Sequence, residues 1–343
     1  MIKNSNILGV DIGSVSISLA EITPDKQIWK TSYEFHQGMI RETLSRMLEE
    51  YDVTGICGIA ATSSTPLLVK VNQQYDNRIA VMKACDHFHG QVQAILIVGG
   101  EKFGLIRFDD KGNYRDFKAN TSCAAGTGSF LDQQAGRLGL KNTQALSELA
   151  FANTGSVPRI ASRCAVFAKT DLVHAQQEGF ALSQICDGLC RGLAKNIVDT
   201  LFAGESFQGK IVFTGGVAKN RSVVRHISSL IDQEVVVGES FYGAAGAALH
   251  LLDELLLKDR VRLFSVADVL ISKKSGKKWF YPPLKFQDTI YPDFPGIESF
   301  AYEPFDIQSG FSGRVETDLY ENLRNTSPEA YLGMDIGSTS TKA

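Results

Sequence analysis

The chain has 343 residues, a length that favours two or three packed units. Apolar residues make up 44% and charged residues 21%, which is ordinary for a soluble protein with a sizeable core. The net charge of −3 gives no electrostatic reason to expect a nucleic acid or a membrane as partner. The sequence lacks both an apolar run of roughly 18 residues and a signal peptide, so we expect the cytoplasm. The six cysteines are then thiols or metal ligands rather than disulfides.

The first third of the chain predicts an antiparallel meander followed by a helix and another strand. Residues 7–12 form a short apolar run, residues 15–22 alternate between apolar and polar side chains, and residues 27–33 follow a turn. Residues 38–51 have apolar side chains at helical spacing. Residues 55–61 return to a strand pattern.

The middle of the chain predicts alternating strands and helices, which is typical of an α/β fold. Each glycine pair lies just past the carboxyl end of a strand, where nucleotides bind in open α/β sheets. The predicted elements are strands at 94–100, 103–108, 210–216 and 234–238, and helices at 127–139, 181–203, from about Ala218, and 242–257.

One internal repeat stands out. LGVDIGSVSIS at residues 8–18 recurs as LGMDIGSTSTK at residues 332–342. A strand and turn of this kind cannot fold alone. We therefore expect a second module to begin near residue 331 and the chain to be part of a longer tandem protein.

Three turns follow strands in an order that predicts two phosphate loops and an adenosine loop of the actin, sugar-kinase and heat-shock ATPase fold. Asp11 can hold the water shell of Mg²⁺, Gly13 permits a sharp turn, and Ser14 offers a hydroxyl and an N–H to phosphate. Each turn alone is equally consistent with an ordinary hairpin. The candidate catalytic residues are Asp11 and Glu101, and the candidate nucleotide contacts are Gly13, Ser14, Gly99, Gly100, Gly126, Gly128, Gly215, Gly216, Asn220 and Gly243.

Two cysteines have sequence surroundings that indicate metal binding. Cys123 lies in a glycine-rich loop that leads into a helix, where backbone N–H groups stabilise a thiolate or the sulfurs of a cluster. Cys164 lies 41 positions later. Cys186 and Cys190 share one helix face and predict a core stripe, with metal binding as the less favoured alternative. Cys57 lies in a strand pattern and is predicted to be core.

CAAGTGSFLD, followed by a cysteine in SRCAVFA, resembles the activators of 2-hydroxyacyl-CoA dehydratases, a family that includes the ATPase subunits of benzoyl-CoA reductases. The resemblance implies an actin-like fold, ATP or ADP as ligand, and a homodimer holding one 4Fe–4S cluster on its two-fold axis. It also implies that ATP turnover drives a low-potential electron into a partner enzyme. Cys123 and Cys164 would be the cluster ligands, and Gly215, Gly216 and Asn220 the adenosine loop.

The stoichiometry agrees with a two-fold arrangement. A four-iron cluster needs about four thiolates, and this module offers two in suitable settings. The others would come from a second chain or, in an intrachain pseudo-dimer, from the second module. The expected electron acceptor is a CoA-ester dehydratase or reductase.

Both phosphate loops depart from the family pattern. Where the family has DxGSTxxK, Val15 replaces the threonine and Ser18 replaces the lysine. Where the family has DxGGQD, Ile97 and Lys102 replace the acids and Glu101 replaces the amide. These groups position phosphate, Mg²⁺ and water, so we expect weak or absent ATP hydrolysis.

The sequence therefore favours an activator-type electron-transfer module, with two alternatives. A sugar or acetate kinase of the same fold would leave Cys123 unexplained, and a non-catalytic scaffold would only shape a pseudo-dimer. The second copy keeps the threonine and the lysine at 335–342 and is the better candidate for the motor.

We expect four segments along the chain. They are a first actin-like subdomain at 1–90, a second at 91–257, a connector at 258–330 and the start of the second module at 331–343. His87 and His89 are expected in a solvated loop between the two subdomains.

Overall fold

The structure, a computed structural model, describes residues 5–120, 127–161, 164–202, 204, 207–256, 259–271, 333–336 and 341–342. The chain divides into a large unit, residues 1–274, and a small unit, residues 275–343. Cys123 and Gly126 lie outside the described residues.

The apolar and alternating segments of the first third form one sheet with the order β3-β2-β1-β4-β5. β1, β2 and β3 make the antiparallel meander that the sequence predicts, whereas β4 runs parallel to β1. The parallel pair places the carboxyl ends of β1 and β4 side by side. The strands are β1 (Asn6–Ile12), β2 (Ser16–Ile22), β3 (Ile28–Phe35), β4 (Ile56–Thr62) and β5 (Gln73–Tyr75).

A second sheet repeats this plan with the order β10-β9-β6-β7-β8. β6, β7 and β8 form an antiparallel meander, and β9 runs parallel to both β6 and β10. The strands are β6 (Ala94–Val98), β7 (Phe103–Phe108), β8 (Tyr114–Ala119), β9 (Ile211–Thr214) and β10 (Val235–Val237). Two sheets of the same design confirm the predicted α/β fold with duplicated subdomains.

Helices cover the sheets. They are α1 (Ile40–Glu49), α2 (Asn77–His89), α3 (Gly128–Arg137), α4 (Thr143–Phe151), α5 (Ala165–Gln177), α6 (Leu182–Leu201), α7 (Arg221–Ile231), α8 (Tyr242–Glu254) and α9 (Val266–Val269). Short 3₁₀ turns occupy Val53–Gly55 and Gly216–Lys219. α1 packs its buried face, including Leu44 and Met47, on the first sheet.

α8 packs very closely on both β1 and α2. A Cβ on Gly9 of β1 would lie 1.9 Å from the carbonyl oxygen of Ala244, and a Cβ on Gly246 would lie 1.7 Å from that of Ala80. No side chain fits at either contact. Glycine at these positions therefore fixes how near the helix comes to the sheet and to α2.

Residues 259–271 return to the first sheet. Leu263 and Val269 join its core, and Leu270 forms an antiparallel bridge with Val69. In the small unit, β11 (Asp335–Ile336) pairs with β12 (Thr341–Lys342), with Asp335 opposite Lys342.

Two local predictions were wrong. His87 and His89 lie in the last turn of α2, because the segment after Tyr75 is helical rather than a loop. The helix predicted from Ala218 begins at Arg221, because the chain first makes a 3₁₀ turn after Gly215.

Candidate nucleotide site

The turn between β1 and β2 carries the first predicted phosphate loop. The N–H of Gly13 donates to the carbonyl of Ser16 over 2.9 Å, which closes the turn, and Ser14 is exposed. His36, which is buried, braces the turn from the β3–α1 loop. Its Nδ1 accepts from the Gly38 N–H (3.1 Å), so its Nε2 carries the proton and donates to the Gly13 carbonyl (3.2 Å).

Asp11 lies at the end of β1 beside the end of β4. One carboxylate oxygen, Oδ1, accepts from the hydroxyls of Thr62 (2.6 Å) and Ser64 (3.0 Å). Burial raises the pKa of Asp11, and the two hydroxyl donors oppose that rise. The other oxygen, Oδ2, lies against Gly243 in the first turn of α8, where a Cβ would come within 2.5 Å of it. Gly243 thus lets α8 begin directly over this carboxylate.

The second predicted phosphate loop is a tight turn between β6 and β7. The N–H of Gly99 donates to the Lys102 carbonyl over 2.8 Å, and Glu101 is exposed on the turn. Val15, from the first turn, packs against Gly100, where a Cβ would lie 2.3 Å from Val15 Cγ2. The two phosphate turns are therefore in direct apolar contact.

The start of α3 is tied to the second turn. The N–H groups of Gly128 and Ser129 donate to the carbonyls of Gly99 and Gly100, each over 2.9 Å. These helix N-terminal amides are therefore already used within the protein.

The predicted adenosine loop follows β9. Gly215 has φ +96° and approaches the carbonyl of Val98 so closely that a Cβ would lie 2.4 Å from the oxygen. Both the positive φ and the close approach to Val98 require glycine at residue 215. A Cβ on Gly216 would lie 3.0 Å from the hydroxyl of Tyr33, and the Lys219 ammonium lies 4.2 Å from the centre of the Tyr33 ring. Tyr33 of β3 thus meets this loop across the cleft.

Asn220 is buried and caps α7. Its Oδ1 accepts from the N–H groups of Ser222 (3.1 Å) and Val223 (3.0 Å), and its amide donates to the Cys190 thiol over 3.5 Å. This is the N-cap role that asparagine favours. The side chain shapes the end of the loop from behind.

A buried carboxylate holds α7 to α6. Asp187 accepts from the Ser222 hydroxyl (2.6 Å), Arg225 (2.9 Å), His226 (2.7 Å) and the Asn153 amide (3.1 Å). Burial raises the pKa of Asp187, but His226 and the other donors together hold it well below its usual range. The ionised Asp187 fixes the helix that follows the adenosine loop.

A cavity of about 420 Å³ lies beside the first turn, between the β3–α1 loop and the α3–α4 connection. Its walls are mixed, with apolar, polar and charged side chains. They are formed by Ser14, Val15, Phe35, His36, Gln37, Gly38, Asp132, Gly136, Leu140, Lys141 and Asn142.

The cysteines that the structure describes separate into two classes. Cys57, Cys85, Cys186 and Cys190 are buried, as predicted for Cys57 and for the α6 pair, and burial raises the pKa of each thiol. Cys164 is half-buried and free, at the N-cap of α5. Within the described part of the chain, His, Cys, Asp and Glu side chains form no cluster of three or more that could hold a metal.

Several residues at the cleft escaped the sequence analysis. Thr62 ends the buried strand β4 and Ser64 follows it, and their position at the end of an apolar run was the signal that could have found them. Tyr33 gave no signal, because its contact with Lys219 joins distant parts of the chain. The structure brings together Asp11, Gly243 and the turns at 13–16, 99–102 and 215–219.

Two similar sheets, with strand-end turns meeting in the cleft between them, define a nucleotide-binding protein of the actin-like class. A sequence profile of the BadF/BadG/BcrA/BcrD ATPase family matches residues 8–250, and the chain belongs to that family. Among the described residues, no helix is both long and apolar enough to cross a membrane.

The relatives found by sequence include activators of CoA-ester dehydratases. The 2-hydroxyisocaproyl-CoA dehydratase activator of Clostridioides difficile is 28% identical over 72% of this chain and 95% of its own length. The activator of lactoyl-CoA dehydratase of Anaerotignum propionicum is 34% identical over 46% of this chain. That match spans only 61% of the lactoyl-CoA relative. A benzoyl-CoA reductase subunit of Thauera aromatica is 24% identical over 70% of this chain and 91% of its own length.

Solved structures agree on the fold. The 2-hydroxyisocaproyl-CoA dehydratase activator from Clostridium difficile, solved with bound ADPNP, superposes with a TM-score of 0.66 at 23% identity over 73% of this chain and 95% of its own. Component A of the Acidaminococcus fermentans (R)-2-hydroxyglutaryl-CoA dehydratase gives 0.64 at 25% identity over 73% and 99%. The predicted actin-like fold and family are confirmed.

Proposed function

We propose that this chain is an iron–sulfur, nucleotide-binding activator module that supports ATP-coupled transfer of a low-potential electron to a CoA-ester dehydratase or reductase. The proposal rests on the structural surroundings of Cys164, in a chain that belongs to this family. Cys164 is half-buried at the start of α5, and the next turn exposes Val166 (68%) and Phe167 (66%). A thiol beside exposed apolar side chains is the expected edge of a shared, covered site.

The donor chemistry at Cys164 fits a cluster ligand. The thiol lies at the N-cap of α5 and makes no capping hydrogen bond, so its sulfur is available to a ligand. The other described cysteines are buried and cannot reach a second module. A 4Fe–4S cluster bound there would supply one-electron transfer. Cys123, outside the described residues, stays the predicted second ligand.

The nucleotide, ATP or ADP with Mg²⁺, would lie between the turns at 13–16 and 99–102 and reach the loop after Gly215. We propose that binding persists but hydrolysis is weak. Val15 fills the contact with Gly100 where the family has a threonine beside the phosphates, and Lys102 stands where it has an acid. Phosphoryl transfer depends on such positioning groups.

Anaerobic iron reconstitution tests the cluster. We expect about one 4Fe–4S cluster per two modules, measured as iron and sulfide per chain and by visible absorbance. Cys123→Ser and Cys164→Ser should each abolish it, whereas Cys186→Ser, the matched control at a core thiol, should keep it. Full iron content in the Cys164→Ser protein would show that Cys164 is not a ligand of the cluster.

Nucleotide binding is tested separately by calorimetry with ADP and ATP. We expect measurable but weakened binding, and ATP hydrolysis near background. No heat and no thermal shift with either nucleotide would contradict this part of the proposal and leave the cluster assignment standing.

A non-catalytic scaffold is the second candidate, favoured by the apolar contact between Val15 and Gly100, which joins the two turns directly. In either function we propose a homodimer or an intrachain pseudo-dimer with a second module. Light scattering on this chain and on a chain with both modules separates the two assemblies. Dimers that bind neither iron nor nucleotide would favour the scaffold. The kinase alternative is not favoured, since the relatives described above are activators of CoA-ester dehydratases and a benzoyl-CoA reductase subunit.

A further inference from the structure

A row of polar side chains crosses the first sheet on the side that faces α8. In the strand register, Ser18 of β2 is opposite Asp11 of β1 and also opposite Tyr33 of β3. Directly opposite residues share one face, with Cβ atoms about 4.5–5.5 Å apart. Thr62 of β4 continues the row, because its hydroxyl donates to Asp11. The Asp11 carboxylate therefore lies between hydroxyl groups on both sides.

The Ser18 hydroxyl has no hydrogen-bond partner among the residues that the structure describes. Ser18 is only 3% exposed. A buried polar atom of this kind is unfavourable and indicates that another group completes its bonding. Because Ser18 and Asp11 project from the same face, that group would contact both.

The charge on Asp11 is also unbalanced. Its hydrogen-bond donors, Thr62 and Ser64, are neutral hydroxyls. Among the described residues, no lysine, arginine or histidine forms an ion pair with Asp11. Ser64 is exposed, so the edge of this cluster is open to small ions.

The repeat supplies an internal reference. In the β11–β12 ladder, Asp335 is opposite Lys342, at the positions that Asp11 and Ser18 occupy in the first hairpin. A lysine at this register can balance a carboxylate across the strands. With serine at residue 18, the balancing charge in the first hairpin has to come from another source.

We propose that Asp11, Ser18, Thr62 and Ser64 bind a monovalent cation of the potassium or ammonium type, in place of a lysine ammonium. Carboxylate and hydroxyl oxygens are the ligands that hard cations prefer. One positive charge balances the single carboxylate. Mg²⁺ fits less well, because it dehydrates reluctantly and demands octahedral geometry, and hydroxyl groups compete poorly with its water shell. This cation site does not depend on whether the chain binds an iron–sulfur cluster.

Thermal unfolding of the whole chain tests the site. The protein is scanned in EDTA at constant ionic strength while KCl replaces choline chloride, whose cation is too large to enter. We expect a saturable rise in Tm of about 3 °C by 0.2 M K⁺, and a similar rise with NH₄Cl. Equal Tm values in KCl and choline chloride would overturn the proposal. Stabilisation by Mg²⁺ but not by K⁺, in a scan without EDTA, would overturn it as well.

Two variants locate the effect. Ser18→Lys should abolish the K⁺ dependence, because its ammonium takes the place of the ion. Ser63→Ala, which removes an exposed hydroxyl bonded to Asn77 instead of Asp11, should keep it. A K⁺-dependent rise that persists in Ser18→Lys would place the ion elsewhere and overturn the site.

A direct measurement covers the case in which Ser18→Lys fails to fold. Thallium(I) replaces K⁺ and scatters anomalously, so crystals of the unaltered protein are soaked in a thallium(I) salt. We expect an anomalous peak within bonding distance of Asp11 and Ser18 oxygens. Peaks only at other positions, or no peak, would overturn the proposal.

Discussion

The two copies of the repeat share a backbone ladder but differ in chemistry and surroundings. Asp11 pairs with Ser18 in the first hairpin, and Asp335 pairs with Lys342 in the second. In the first copy Val10 is buried, whereas its counterpart Met334 is 68% exposed. The shared sequence is thus enough for the hairpin register, while burial comes from the rest of the module. The residues expected to contact phosphate differ between the two copies, and they do so independently of the hairpin register and of the burial.

The largest effect should come from substituting Gly9, which lies two positions before Asp11. Gly9→Ala pushes a Cβ into the backbone of α8, whereas the counterpart Gly333 has no atom within 4 Å among the described residues. We expect Gly9→Ala to destabilise the protein by about 3 kcal/mol and Gly333→Ala to leave it unchanged. Thermal unfolding of the two variants checks this. Similar Tm losses in both would show that the hairpins are packed alike.

Restoring the family pattern in both phosphate loops should raise ATP hydrolysis only as a set. Ser18→Lys, Ile97→Asp and Lys102→Asp together should raise ATP turnover by about 100-fold, because the groups act on one transition state. Each single change should raise it much less. Phosphate release under saturating ATP is the measurement. Full activation by Ser18→Lys alone would show that Ile97 and Lys102, in the second phosphate loop, do not limit ATP hydrolysis.

The contact between the two turns can be measured by a double-mutant cycle. Gly100→Ala should clash with Val15 and cost about 1–2 kcal/mol, since the side chain in its way is short and branched. Gly100→Ala made in a Val15→Ala background should cost much less. Unfolding free energies of the four proteins give the coupling. Additive losses would mean that the two turns do not press on each other.

The smallest effect concerns the charge on Asp11. Its folded-state pKa is raised, so its contribution to stability is present at low pH and is lost as pH rises through that pKa. In choline chloride, Asp11→Asn should therefore raise Tm at pH 7 by about 2 °C, and the gain should shrink as the pH falls. A gain that grows on acidification would show that the carboxylate is stabilised when ionised. Thr170→Ala, which removes an exposed hydroxyl bonded to the Val166 backbone carbonyl and to no carboxylate, serves as a pH-independent control.

Much of the fold could be predicted from the sequence, because its core strands are short apolar runs that end in glycines. β1, β6 and β9 lie where their patterns placed them. α2 escaped prediction because its buried residues are small, and Ala80 and Ala84 give little periodic signal. The turns of the site were visible in the sequence. Contacts such as Tyr33 with Lys219 were not, since they depend on how the two sheets meet.

The fit between Gly246 and Ala80, and between Gly9 and Ala244, has a consequence for how such a module can evolve. At these positions any side chain would meet backbone, so a substitution there endangers the whole architecture. Val15 and Ser18 take no part in either of these two contacts. After a duplication, one copy can therefore lose its chemistry by drift at the turn while the scaffold is preserved, leaving a partner that keeps its shape.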